Sequence, residues 1–484
     1  MSSQSSGLDA PIPEGEAPPG GGRAGLSLRS SWIALSVLFL VYFFNNLDRS
    51  ILTILSQPIK EEMGLADWQL GLMTGFAFSL LYMGVGFPMA RLADRSNRSL
   101  ILSSCVFVWS AFTALCGLTT NFLQLCLCRA GVGIGEAACL PASHSLISDL
   151  FPAERRAKAL AIFGLGLPLG GLAGVTVGGY AMDQWGWRTA FVIVGLPGIL
   201  VALLTWLVVK EPVRGRFDAA ALPGTSATGH QSLRDVATAL WISPVARNVV
   251  IALTAAGLVG APNGVFMGPY MIRKFDLGYT ELGVIIALTF MLGSAISTLG
   301  GGLLVDWASR FDKRWSMWIP AIGVAASAPL YVAAYAQSTW LGLSVIMFFA
   351  SVINSTYLAP CFAVLHSTVA PSGRATASVI AQFSLTLIGA SLGPLISGLA
   401  IDFVATRIFG NYAPEGFLAA CPGGRAVEGA PEALDLACRG AVVDATQLVL
   451  ICFLSCMIWP AWHFFLAARG MKQPRMERER AADA

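Results

Sequence analysis

Long apolar runs separated by short polar stretches dominate the chain between residues 32 and 469. Twelve such runs are legible, near 32–54, 69–91, 98–119, 121–148, 156–182, 188–209, 247–272, 280–305, 315–336, 339–366, 375–403 and 447–469. A helix of roughly 20 apolar residues crosses a bilayer, and a spanning backbone must satisfy its own hydrogen bonds. The pattern therefore predicts twelve membrane helices. The Gly-rich run from Gly164 to Gly179 belongs among them, because small residues let membrane helices approach closely. Residues 1–30 have no apolar core and read as a disordered tail rather than a signal peptide.

The spans repeat. Asp94-Arg95-Ser96-Asn97-Arg98, after the second, returns 212 positions later as Asp306-Trp307-Ala308-Ser309-Arg310, after the eighth. Pro152-Ala153-Glu154-Arg155 returns after 219 positions as Pro371-Ser372-Gly373-Arg374. Two similar offsets, each close to six spans, predict two homologous six-helix bundles, over 31–210 and 247–469. A polar linker, 211–246, would join them, with a flexible part at Pro223-Gly224-Thr225-Ser226 and a surface helix over Leu233–Trp241. The fold class is all-α integral membrane, and paired halves around a midplane site are a transporter design.

Basic residues orient the chain. Arg91, Arg95 and Arg98, then Arg155, Arg156 and Lys158, then Lys210, Arg214 and Arg216, then Arg310, Lys313 and Arg314 fall in alternate loops. Arg469, Lys472, Arg475, Arg478 and Arg480 close the chain in a basic tail over 470–484. The positive-inside rule makes both termini cytoplasmic, with the protein in the plasma (inner) membrane. The loop 404–446 is then external, and its Cys421 and Cys438 are candidates for a disulfide in an oxidising compartment.

Composition supports this reading. Hydrophobic residues make up 55% of the chain and charged residues 12%, where a soluble domain carries about 25% charged. A net charge of +3 gives no reason to expect nucleic acid. The four histidines have no metal-ligand spacing, and no phosphate-binding Gly-x-x-x-x-Gly-Lys loop is present. No cofactor is expected apart from a proton as coupling ion, and the protein is expected to work as a monomer.

The chemistry sits inside the spans. Asp48 and Arg49 fall in the first apolar run, Arg129 and Glu136 in the fourth. Ionisable groups in a membrane span are costly and by default functional. Asp48 and Glu136 are candidate proton carriers; Arg49 and Arg129 cannot release protons and suit anion binding. Arg129 and Glu136 are two turns apart, roughly 10 Å along the helix, so a partner from span 1 is needed. Depth along the two helices favours an Asp48–Arg129 pair and leaves Glu136 nearer the central cavity. The second half offers Asn263, Tyr270, Asn354, Tyr357, Gln382 and Ser384 instead of charge; the first five are candidate substrate contacts. A charged first half facing an apolar second half suits an amphiphilic anion. Asp94, Arg98, Asp149 and Arg155, with Asp306 and Arg310 in the second half, are candidate gating charges at the cytoplasmic ends.

The segment Arg91-Leu92-Ala93-Asp94-Arg95-Ser96-Asn97-Arg98 resembles the loop signature of the major facilitator superfamily, with Ala90 at its usual leading Gly and Gly302 keeping that Gly in the second copy. Arg129 to Gly135, and Gly186-Trp187-Arg188 with Phe191, resemble further motifs of that family. The resemblance runs from about residue 32 to 469 and implies the major facilitator fold, with spans 1, 4, 7 and 10 lining the cavity. Asn46-Leu47-Asp48-Arg49, Arg129 to Ala137 and Ser148-Asp149-Leu150-Phe151-Pro152 are similar to the spinster-like subfamily. That similarity implies transport of lysolipids or sphingoid phosphates, with the family's polar groups at Asp48, Arg49, Arg129 and Glu136. An importer of small soluble organic anions is the alternative. A membrane receptor or enzyme fits less well, since no catalytic constellation is present.

Overall fold

The computed structural model describes residues 28–214, 217, 232–370, 373–410, 412–414, 416–427 and 429–471. The expected tails before residue 28 and after 471, the Pro223–Ser226 part of the linker, and Pro371-Ser372 lie outside the described residues, as does the side chain of Asp94. Eleven helical segments are long and apolar enough to cross a membrane. One of them, Glu154–Val208, turns back at Gly186, whose φ of 80° no β-carbon tolerates easily. The chain thus crosses twelve times: span 1 (Leu28–Met63), span 2 (67–95), span 3 (Arg98–Cys116), span 4 (Phe122–Leu150), spans 5 and 6 on either side of Gly186, span 7 (Pro244–Phe275), span 8 (Tyr279–Ala308), span 9 (Trp315–Tyr335), span 10 (Trp340–Ser367), span 11 (Thr376–Phe409) and span 12 (Glu432–Gly470). The protein is a multi-pass integral membrane protein, and its exposed Leu196, Leu200, Leu203, Leu299 and Leu303 form the face that meets lipid.

Helices run beyond the apolar pattern at one end of the bundle. Span 1 continues through Pro58 to Met63, and span 12 begins at Glu432, so the loop expected over 404–446 narrows to 410–431. Cys421 and Cys438 are bonded there, with S–S 2.04 Å. This end is the disulfide face; the opposite one, with Leu28 and Met471, is the terminal face. The linker helix is Leu233–Ile242, opened by Ser232 and Asp235, each of which satisfies the other's backbone amide.

Glycines set the closest approaches. Span 5 lies along span 1, and a β-carbon at Gly174 would stand 2.5 Å from the Leu47 carbonyl oxygen. Span 1 is thereby held rigidly at the segment that carries Asp48 and Arg49. Regular winding is interrupted in other spans. Single π-turns occupy Leu72–Phe76, Ala287–Met291 and Ser384–Ala390 in spans 2, 8 and 11. Span 4 breaks just after Glu136, and span 10 breaks at Ser355–Tyr357, which starts 219 positions later. Such local rewinding recurs at functional sites.

Replacing Gly174 with Leu is expected to cost about 1–3 kcal/mol or more, as overpacking does. Thermal unfolding in detergent should fall accordingly. Gly164→Leu, where a β-carbon meets nothing within 4 Å, should leave the melt unchanged.

Candidate functional site

Neighbouring residues on a helix point about 100° apart, and span 1 uses that angle to split its two charges. Asp48 faces span 3: Thr113 Oγ1 donates to its Oδ2 at 2.9 Å, and only 3% of the residue is exposed. Arg49 faces span 4, where its Nε donates to Glu136 Oε2 at 2.5 Å. Glu136 is fully buried, while the Arg49 side chain keeps 36% of its surface exposed. Among the described residues the ion pair that forms is thus Arg49–Glu136 rather than the expected Asp48–Arg129. Depth along the helices placed the four residues at comparable levels, but rotation about the helix axis chose the partners, and the long Arg49 side chain reached the deeper acid.

Aromatic rings complete the cluster. The Arg49 guanidinium lies 4.8 Å from the Tyr82 ring centre and 5.0 Å from that of Phe78. Arg129, buried, sits 5.6 Å from the same Phe78 ring. Phe78 thus touches both cations, a stabilising arrangement where water is scarce. The charges remain under-satisfied: Asp48 Oδ1, Glu136 Oε1 and Arg129 Nε and Nη1 have no hydrogen-bond partner among the described residues. Each such group costs about 1–3 kcal/mol or more, and here they are concentrated at one place.

The polar candidates of the second half do not converge on this cluster. Asn263 accepts from Tyr335 Oη at 2.6 Å and lines a cavity of about 140 Å³ with Thr53 and Met291 at the seam between the halves. Tyr270 is buried and accepts from Lys274 Nζ at 2.7 Å. Asn354 accepts from Ser327 at 3.2 Å, and Tyr357 packs on Phe464. Gln382 is exposed and donates to Thr386 on its own helix at 2.9 Å. Each is engaged within its own half.

The proposed gating charges divide differently from the sequence pattern. Arg98 donates to Asp149 at 2.6 Å, Glu211 at 2.7 Å and Ser145 at 2.7 Å. That knot ties spans 3, 4 and 6 within the first half. Arg155 is exposed; its neighbour Arg156 donates to the Ser148 carbonyl at 2.8 Å instead. Asp306 and Arg310 are both exposed and form no ion pair among the described residues. The second half therefore does not repeat the knot, because its Asp306–Arg310 turn lies on the surface.

Contacts between the halves gather at the disulfide face. Asp183, ending span 5, accepts from the Tyr279 and Thr280 amides at 3.2 and 2.7 Å and from the Thr280 hydroxyl at 2.6 Å. Asp402, near the end of span 11, accepts from the Asp67 and Trp68 amides at 3.0 and 2.9 Å. A carboxylate from one half thus caps the first turn of a helix in the other, twice. The two acids are 219 positions apart, and the amide pairs 212, the same offsets that relate the repeated loops. Around the second cap, Lys60 and Arg273 donate to Asp67 at 2.5 and 3.0 Å. Arg425, beside the disulfide, pairs with Glu61 at 3.2 Å. Sequence reading missed these residues because they sit at span ends, where charge is ordinary; the shared offset was the available signal.

The profile of the Major Facilitator Superfamily matches residues 38–306. An MFS-type efflux pump of Mycolicibacterium smegmatis is 32% identical over 77% of this chain and 85% of its own length. The Escherichia coli protein named "Probable L-galactonate transporter" is 26% identical over 82% of this chain and 88% of its own. The crystal structure of a bacterial homolog of the human lysosomal transporter spinster, inward-facing and unoccupied, superposes with a TM-score of 0.84, at 29% identity, over 92% of this chain and 98% of the other.

Thr113 gives Asp48 the one hydrogen bond it receives among the described side chains. Thr113→Val keeps the shape and should destabilise the fold by about 1–3 kcal/mol, read as a lowered melting temperature. Asp48→Asn in the same background should recover part of that loss by removing the unpaired charge.

Proposed function

Because the chain belongs to the major facilitator superfamily, we propose that it is a secondary active transporter, proton-coupled and working by alternating access, for an amphiphilic anion such as a lysolipid or sphingoid phosphate. The observation that carries this reading is the Arg49–Glu136 pair: an acid without water, bonded at 2.5 Å to a cation that is still partly accessible. Two things can compete for that bond. A proton on Glu136 removes its charge, and an anionic head group offers Arg49 a different partner. Breaking a buried pair from one side leaves the other charge uncompensated, at a cost of about 3–5 kcal/mol. Protonation of Glu136 and anion capture by Arg49 therefore favour each other. Asp48 is the second carboxylate available to carry a proton, and the apolar second half suits the tail.

The positive-inside pattern supports a cytoplasmic terminal face. The disulfide face is then external and closed, with the caps at Asp183 and Asp402 as its latches. Alternating access requires both seams to part together. The likeness to an inward-facing spinster homolog supports this assignment. A second reading, import of a small organic anion, is favoured by the likeness to the L-galactonate transporter.

Reconstituted into proteoliposomes, the protein should move lysolipid phosphates rather than galactonate when a pH gradient is imposed. Glu136→Gln and Asp48→Asn should each abolish accumulation driven by the gradient; Asp48→Asn should melt near wild type, and Glu136→Gln should fold but melt lower because Arg49 loses its partner. Galactonate uptake without lysolipid transport would establish the second reading, and gradient-driven transport by both variants would remove the proton-carrier roles.

The latches make a separate prediction. Asp183→Asn with Asp402→Asn weakens two charged caps, each worth about 1.5–3 kcal/mol. The population open at the disulfide face should rise at least about tenfold. Distance measurements across that face in nanodiscs would detect the change; unaltered distances would leave the caps as local helix ends.

A further inference from the structure

A large cavity lies away from the charged cluster. It is a crevice of about 660 Å³ between spans 8 and 9 with span 10 as its floor, near the terminal face. Gly300 and Gly301 form one wall and Gly323 part of the other; Trp307, Phe311 and Trp315 stand at its mouth. The size falls within the roughly 300–1,000 Å³ of ligand pockets, and the outer wall is open to lipid, since Leu304 and Ile322 are exposed.

The slot depends on a small residue in span 8. At the repeat offset of 212, Gly300-Gly301 corresponds to Pro88-Met89 in the first half, where Met89 packs against that half's core. Gly300 leaves the space open, since a β-carbon there meets nothing within 4 Å, and Gly301 lets Thr356 of span 10 approach closely as the floor. The mouth is also charged. Arg310 and Lys313 are exposed and form no ion pair among the described residues. Arg314, in the same loop, donates to the Met471 carbonyl at 3.2 Å. Two acids temper this loop: Asp306, which is exposed, and Asp312, which accepts the Arg314 amide at 2.8 Å.

We propose that this crevice is a binding site for an anionic phospholipid of the leaflet at the terminal face, one acyl chain lying along Gly300 and Gly301 and the phosphate held by Arg310 and Lys313. An apolar slot opening sideways into a membrane receives a chain that never leaves the bilayer. Cations just outside an aromatic mouth select the head group. The site is distinct from the Arg49–Glu136 cluster, which belongs to the other half, and it does not depend on what the transporter carries.

Native mass spectrometry of the whole protein, released from nanodiscs containing phosphatidylglycerol and phosphatidylcholine in equal amounts, tests this. The wild type should retain one phosphatidylglycerol in preference to phosphatidylcholine by roughly tenfold. Gly300→Leu should abolish retention of that lipid. Its β-carbon meets nothing within 4 Å, so the added side chain fills the crevice without a clash. Gly302→Leu, equally free of neighbours but outside the crevice, should behave as wild type. The double variant Arg310→Gln, Lys313→Gln should still retain a lipid but lose the preference for phosphatidylglycerol. Retention by Gly300→Leu at the wild-type level, or equal retention of both lipids by the wild type, would overturn the proposal.

Discussion

A carboxylate shut away from water must find a cation or give up its charge, and Glu136 is shut away completely. Its partner Arg49 comes from span 1, which span 5 grips at Gly174 and its neighbours. The pair therefore depends on helices 1, 4 and 5 keeping their rotations to within a fraction of a turn. The aromatic pair Phe78 and Tyr82, from span 2, supplies the remaining wall. Spans 1, 2 and 4 thus meet around a single hydrogen bond, and span 5 holds span 1 in place for it.

The two halves share a backbone plan and divide the chemistry. Charge is concentrated in the first, where Asp48, Arg49, Arg129 and Glu136 lie within one bundle. The second half answers with hydroxyl and amide groups already committed to one another, such as Tyr335 with Asn263. The lateral crevice follows the same divergence, since Gly300 stands where the first half has Pro88 and leaves that side of span 8 without a side chain.

Symmetry is retained where the halves meet. Each seam at the disulfide face joins a helix start from one half to a helix end from the other, and each uses an aspartate as the clasp. A carboxylate on free amides at a helix start is favourable because the first amides lack partners and the helix dipole is positive there. Such a clasp is strong when seated and leaves both sides able to bind water once parted. That property suits a joint which must close and open without unfolding either helix.

The twelve spans, the duplicated halves and the presence of four charges inside the membrane were legible in the chain, because membrane helices need uninterrupted apolar length and an ion within such a run stands out. The offsets of 212 and 219 between repeated loops were legible too, and they reappear in the Asp183 and Asp402 caps. Pairing was not legible. Asp48 and Arg49 are adjacent in sequence, yet one turns to Thr113 and the other to Glu136, a choice made by the rotation of span 1 against spans 3 and 4. The Arg98 knot without a counterpart at Arg310, and Lys60 buried beyond the expected end of span 1, were likewise decided in three dimensions. Composition and period report which segments enter the membrane and at what depth. Which side chains touch depends on helix rotation and on glycine-permitted approach, and these are set only when the helices pack.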